Sequence, residues 1–177
     1  MQYNMNKKLV IFDLDGTLLN TISDLGKATN YALAANGYPV HHLDSYPMFV
    51  GNGVRKLIER ALPPDINDAE IIDKMIVDFK SYYSQHDTET TAPYPGIPEL
   101  LQDLQNQGVQ IAVASNKYQE AVTSIIAHYF PEIKFSAVYG QRENVPVKPD
   151  PSVVFDIILQ TGIPKHDTLY VGDSGVD

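Results

Sequence analysis

The residues Leu9-Val10-Ile11-Phe12 form an apolar, β-rich run that stops at Asp13-Leu14-Asp15-Gly16-Thr17. Such a run, bounded by lysine on one side and a glycine-bearing acidic turn on the other, reads as a buried strand ending in a tight turn. Gly16 supplies the backbone freedom the turn needs. Beyond the turn the pattern becomes helical. Thr21 to Asn36 has helical spacing, with Ile22, Leu25, Ala28, Ala32 and Ala35 near one face, stopped by Gly37 and Pro39. Further helices are expected from about Gly53 to Leu62 and from Asp68 to His86. The second of these carries Ile72, Met75, Ile76 and Phe79 as its inner stripe.

After Pro93, Pro95, Gly96 and Pro98 the rhythm changes. A helix carrying Leu100, Leu101 and Leu104 ends at Gly108, and Val109–Ala114 reads as a second buried strand. A helix to about Tyr129, a strand near 135–139, a helix opened by Pro151 and ending near Gly162, and a last strand at 168–171 complete the pattern. Strands alternating with helices require right-handed crossovers and a mostly parallel sheet. The expected fold class is therefore α/β, a parallel Rossmann-like sheet core interrupted after its first strand by a small inserted helical domain. The boundaries are 1–18 and 91–177 for the core and 19–90 for the insert.

Composition narrows the function. Hydrophobic residues make up 44% and charged residues 20% of the 177 positions, which is ordinary for a globular chain. There is no cysteine, so thiol catalysis and disulfides are excluded. The net charge of -9 argues against nucleic acid and against a polybasic membrane surface. The only apolar run near the N-terminus is too short for a signal-peptide core or a membrane span, so the chain is read as cytoplasmic. An acidic chain that handles anions also needs a local cation.

Four places carry chemistry, each just after an expected strand or in a loop at the same sheet end, where open parallel sheets bind ligands. In Asp13-Leu14-Asp15 one carboxylate can attack phosphorus while the other exchanges a proton with the leaving oxygen and then with water. Ser115 and the Asn116 amide, after the second strand, can hold a phosphate oxygen. Lys148, restrained between prolines in Val147-Lys148-Pro149-Asp150-Pro151, can neutralise the nucleophile and the transferring group. Asp173, in Gly172-Asp173-Ser174-Gly175-Val176-Asp177, can complete an oxygen-rich site for Mg²⁺ with Asp13. Singly, each also fits a structural role: an Asp-Gly turn, a helix cap, a solvated lysine before Pro151 at a helix start, an acidic turn.

Together, in this order, the four motifs resemble the haloacid-dehalogenase-like hydrolase superfamily from Lys8 to Asp177. The resemblance implies a Mg²⁺-dependent phosphoric monoester hydrolase working through an aspartyl-phosphate. Asp13 would be nucleophile and metal ligand. Asp15 would be general acid/base, with its carbonyl on the metal. Ser115 and Asn116 would bind phosphate, Lys148 would orient, and Asp173 and Asp177 would serve the metal. The insert resembles the family's helical cap. With Leu18-Leu19-Asn20-Thr21, the segment Gly51-Asn52-Gly53-Val54-Arg55 resembles the phosphoglycolate phosphatase group, which implies 2-phosphoglycolate as favoured substrate. Gly51, Asn52, Gly53 and Arg55 would read its carboxylate at a helix start, or the glycines would serve chain reversal alone, with Arg55 solvated.

The implied partner is a small phosphorylated metabolite and the implied assembly a monomer or homodimer. The same core also fits a pyrophosphatase, a sugar-phosphate phosphatase, a phosphomutase, or an inactive fragment that only binds phosphate, metal or a partner. Family members continue past this last motif with a helix, a strand and a final helix. The expectation is a core lacking those C-terminal elements, less stable and less active than an extended chain. His41 and His42 are expected to be solvated, and at least one of Tyr82 and Tyr83 to pack.

Overall fold

The computed structural model describes residues 7–177. The expected core segment 1–18 begins outside those described residues. In chain order the elements are β1 (Leu9–Phe12), β2 (Leu19–Asn20), α1 (Ile22–Ala35), a 3-10 turn (Leu43–Met48), α2 (Gly53–Ala61) and α3 (Ala69–His86). Then come β3 (Ala92–Pro93), α4 (Ile97–Asn106), β4 (Gln110–Tyr118), α5 (Gln119–Tyr129), β5 (Phe135–Gln141), α6 (Ser152–Thr161), a second 3-10 turn (Lys165–Asp167) and β6 (Thr168–Val171).

The sheet order is β5-β4-β1-β6, and all three pairings are parallel. All four residues of β1 are buried, because helices cover both faces. Val10 and Phe12 join Leu101 and Leu104 of α4 and Val122, Ile125 and Ile126 of α5 on one face. Leu9 and Ile11 join Val153 and Ile157 of α6 on the other. Fully burying one such side chain stabilises by about 1.5–3 kcal/mol, so each layer anchors the strand ends that carry the site.

The chain leaves this core through β2 and returns through β3, two short strands paired antiparallel. Between them, α1, α2 and α3 enclose a separate apolar cluster with Leu25, Leu33, Tyr46, Ile58, Met75, Phe79 and Tyr83 at its centre. The crossing is clasped. The buried Asp24 carboxylate accepts from the Thr90 and Thr91 amides at 2.9 and 2.8 Å and from both threonine hydroxyls. Tyr129 of α5 in turn donates to the Thr91 carbonyl at 2.7 Å.

Several local expectations shift. In α1 the buried face runs through Leu25, Ala28, Thr29, Ala32 and Leu33, while Ala35 is exposed, because the 3.6-residue period carries the last turn outward. Leu100 is 42% exposed, so α4 packs through Leu101 and Leu104, with Ile97 beside them. Pro151 is the N-cap of α6, one position earlier than a helix start. His41 is not solvated: its ring packs edge-on to Tyr46 and Phe49, with Nε2 2.7 Å from the Ala61 carbonyl. His42 caps the first 3-10 turn. Tyr83 is fully buried. No helix among the described residues is long and apolar enough to cross a membrane.

The largest departure is in β4, which does not end at Ala114. Ala114 pairs with Tyr139 and Tyr118 with Gln141, so four steps on β4 match two on β5. Ser115, Asn116 and Lys117 therefore form a bulge opposite Gly140. A Cβ at Gly140 would stand 2.5 Å from the Lys117 carbonyl, so only glycine lets the bulge lie this close.

Candidate active site

The carboxyl ends of β1, β4 and β6 and the inner wall of the helical insert enclose a cavity of about 600 Å³. Its floor carries Asp13, Asp15, Ser115, Asn116, Lys117, Asp173 and Ser174. Its roof carries Ile22, Leu25, Pro47, Val50, Gly51, Gly53, Val54, Leu57 and Phe79. Burial of an apolar roof above ionised groups keeps the effective dielectric low, so each charge contact counts for more than in water.

Asp13 leaves β1 with its amide donating to the Val171 carbonyl at 2.9 Å, which fixes the strand end against β6. Its carboxylate is buried, and Lys148 Nζ holds Oδ1 at 2.8 Å. Lys148 comes from the loop before α6. Its backbone is held by Asn116, whose Oδ1 accepts from the Lys148 amide at 2.8 Å and whose Nδ2 donates to its carbonyl at 3.1 Å. The same ammonium reaches Asp177 Oδ1 at 2.6 Å and the Tyr170 hydroxyl at 3.1 Å. Burial pushes the Asp13 carboxyl up to about 7; Lys148 opposes this, while the charges of Asp15 and Asp177 add to it. Burial disfavours the Lys148 ammonium, but Asp13, Tyr170 and Asp177 outweigh it and raise its pKa. Burial also works against Asp177, yet Lys148 and Ser174 hold its carboxyl below the usual range.

Asp15 sits in the turn after β1. Its Oδ1 accepts from Thr21 Oγ1 at 2.6 Å and from Lys117 Nζ at 2.9 Å. Gly16, next to it, adopts φ +91°, and a Cβ there would lie 2.3 Å from Asp173 Oδ2. Glycine is what allows the Asp173 carboxylate to fold over the turn, where Thr17 Oγ1 donates to its Oδ1 at 3.1 Å. One carboxylate oxygen each from Asp13, Asp173 and Asp177 lies within 4.8 Å of the others. An all-oxygen set this tight, seated in a cradle that a Cβ at position 16 would fill, fits a hard divalent cation such as Mg²⁺.

Thus Asp13, Asp15, Ser115, Asn116 and Asp173 share one cavity, with Lys148 and Asp177 joined to its edge through Asp13. The insert divides differently. Gly51 and Gly53 line the cavity, and the Gly51 carbonyl accepts from Asn116 Nδ2 at 3.2 Å. Asn52 instead accepts from Arg60, at 2.6 Å from its Oδ1. Arg55 pairs with Asp73 on the outer surface and is not among the lining residues, because its place in the first turn of α2 faces α3 rather than the core. Asn116, whose backbone amide is the one expected to meet phosphate, uses its side chain to tie Lys148 and Gly51 together.

Two contributors to the site, and the clasp that joins the insert to the core, are not announced by the sequence. Lys117 stands beside Ser115 and Asn116, but its burial depends on the bulge. Tyr170 reads as one more apolar strand residue. Asp24 reads as a surface position of an amphipathic helix, and only the return of Thr90 and Thr91 gives it partners.

Residues 10–177 match the haloacid dehalogenase-like hydrolase family model. A phosphoglycolate phosphatase of Pseudomonas savastanoi pv. phaseolicola is 34% identical over 175 residues, covering 96% of this chain. One from Mesorhizobium japonicum is 31% identical, covering 98% of this chain and 77% of its own length. This chain spans 64% of the length of the Pseudomonas protein. A solved protein of Lactobacillus delbrueckii subsp. bulgaricus, provisionally assigned as a phosphoglycolate phosphatase, superposes with a TM-score of 0.88 at 31% identity, covering 96% of this chain and 80% of its own. Its fold is thus shared across nearly all of the described residues, and the chain belongs to the haloacid dehalogenase-like hydrolase family.

Proposed function

We propose that the chain is a Mg²⁺-dependent phosphatase acting on small phosphate monoesters, with 2-phosphoglycolate favoured, through an aspartyl-phosphate. The carrying observation is the buried Asp13 carboxylate, gripped by Lys148 at 2.8 Å and sharing one cavity with Asp15, Ser115 and Asp173. Inserts of this kind serve as caps, and 19–90 is proposed as the cap here, with 7–18 and 91–177 as the described core.

With Lys148 on Oδ1, the other Asp13 oxygen is the one to attack phosphorus. A P–O bond forms to Asp13 as the ester P–O bond breaks, and Asp15, which must enter this step carrying a proton on the oxygen that Lys117 does not hold, gives that proton to the departing alkoxide. Ser115 holds an equatorial phosphoryl oxygen from the bulge. Asp15, now ionised, takes a proton from water whose oxygen attacks the aspartyl-phosphate, releasing phosphate and restoring Asp13. Lys148 neutralises charge on Asp13 in both halves. A Mg²⁺ held by Asp13, the Asp15 carbonyl, Asp173 and Asp177 would supply electrostatic shielding between nucleophile and phosphoryl group and keep Asp13 ionised. The apolar roof excludes bulk water.

The test is turnover of a phosphate-ester panel with Mg²⁺ by wild type and Asp13→Asn. The variant is expected to lose at least ~10³-fold in kcat/KM, as removal of a nucleophile does. Undiminished turnover would end the reading.

A further inference from the structure

We propose that Lys117 is the specificity-determining cation of this site, whose ammonium takes a carboxylate carried one carbon from the ester oxygen of the substrate. The inference rests on the phosphatase reading and names the residue that would read the rest of the substrate.

The cavity is short of positive charge. The charged residues that line it, among the described residues, are Asp13, Asp15, Asp173 and Lys117. A substrate with a second anionic group meets three acidic side chains and one ammonium. Lys148 is already engaged by Asp13, Asp177 and Tyr170. Arg55 is paired with Asp73 outside the cavity.

Lys117 Nζ lies 2.9 Å from Asp15 Oδ1. Asp15 is the carboxyl that must reach the ester oxygen, so Nζ stands one hydrogen-bonded carboxylate away from that oxygen. In an ester of a 2-hydroxy acid, two covalent bonds separate the same oxygen from the carboxylate carbon. The second anion is thereby delivered to the neighbourhood of Nζ without any reach into the cap.

Lys117 is also preorganised. It is buried, and its ammonium sits 4.7 Å from the centre of the Tyr83 ring. Its amide donates to Ser115 Oγ at 3.1 Å, and its carbonyl lies against Gly140. An ammonium has three donors, of which Asp15 takes one. Asp15 also accepts from Thr21 Oγ1 at 2.6 Å, a second partner for the oxygen that shares the lysine. A cation held this way forms a pair with little further ordering cost.

The test compares three esters with wild type and Lys117→Met: 2-phosphoglycolate, its neutral amide, and ethyl phosphate. Wild type is expected to favour the acid over the amide by about 100-fold in kcat/KM, the range for a charge partner left unpaired. In Lys117→Met that ratio should collapse to within about fivefold, whatever happens to absolute rates. Parallel loss on all three esters, with the ratio kept, would make Lys117 a mere support for Asp15 and overturn the proposal. So would a wild type that treats acid and amide alike. Calorimetric binding of the same esters reads the same ratio if none is turned over. Should Lys117→Met fail to fold, the Lys117 ¹⁵Nζ resonance of wild type decides: it should move on adding 2-phosphoglycolate and stay in place with ethyl phosphate, and an unmoved resonance sinks the idea. Intact turnover in Asp13→Asn would instead defeat the phosphatase reading, so the two failures are distinguishable.

Discussion

Replacing Asp24 by asparagine tests whether the crossing between core and insert is held by one carboxylate. Asp24 is 1% exposed and collects the Thr90 amide at 2.9 Å, the Thr91 amide at 2.8 Å, the Thr91 hydroxyl at 2.9 Å and the Thr90 hydroxyl. Lys27 adds a more distant contact at 3.3 Å. Asparagine keeps one acceptor oxygen and turns an NH₂ group toward these donors. Hydrogen bonds to a charged acceptor contribute about 1.5–3 kcal/mol each, so losing the equivalent of two at the low end costs about 3 kcal/mol. For a chain of this size that lowers Tm by about 6–12 °C. The effect has a pH signature. Burial works against the ionised Asp24, but its bonds from Thr90 and Thr91 prevail and hold its carboxyl below the ordinary value of 3.8. A depressed carboxylate contributes stability above its unfolded pKa of about 3.9 and loses it as pH falls through the folded value. The gap between wild type and Asp24→Asn, read by circular dichroism melting, should therefore be full at neutral pH and narrow on acidification below about pH 4. A gap below about 2 °C at pH 7, or one that does not narrow in acid, would refute the clasp.

Gly16→Ala should weaken Mg²⁺ activation by about 10–100-fold, because the added Cβ would stand 2.3 Å from Asp173 Oδ2 at a φ of +91°; a Mg²⁺ titration of activity with unchanged apparent affinity would contradict it. Removing divalent cations with EDTA should abolish turnover, and Mg²⁺ should restore it; full activity in EDTA would exclude the metal. Asp13 in the metal-free protein should titrate at about 7 by ¹³C NMR and move down on adding Mg²⁺. Because that folded pKa is raised, Asp13 contributes stability at low pH that is lost as pH rises toward 7, and Asp13→Asn should remove this component of the metal-free protein's pH–Tm curve.

The fold was legible because its main strands contain short apolar runs that end at turns. Leu9–Phe12 has no polar alternation and stops at an Asp-Gly turn, and its neighbours repeat the pattern at the ends of β4 and β6. Periodicity located the helices, yet it did not settle which Leu of Leu100-Leu101 packs, since that depends on where α4 lies on the sheet. The site was legible in outline for the same reason: residues at strand ends of a parallel sheet converge. What escaped was whatever depended on two distant segments meeting. The bulge of β4 is fixed by the register with β5 and by Gly140, neither of which Ser115-Asn116-Lys117 announces. Arg55 reads as an anion binder beside two glycines, but the rotation of α2 against α3 hands it to Asp73.

The electrostatics of the cavity tie these pieces together. Asp13, Asp15, Asp173 and Asp177 bring four carboxylates to one end of the sheet, and Lys117 and Lys148 bring two ammoniums, each buried and each paired to a different member of the first motif. Four carboxyl groups face two ammoniums, and burial first, with the charges of Asp15 and Asp177 adding to it, pushes the Asp13 carboxyl up to about 7. A divalent cation on Asp13, Asp173 and Asp177 would offset the surplus of carboxylates and favour admission of a phosphate. The two lysines then divide the remaining work by position. On the proposed mechanism Lys148, behind Asp13, would face the charge that moves during phosphoryl transfer. Lys117, beside Asp15, would face the side of the leaving group, as the one cation lining the cavity among the described residues. On that reading an acidic chain would bind a multiply anionic ester through positive charges that are few and fixed by a bulge, a loop and the side chains that hold them.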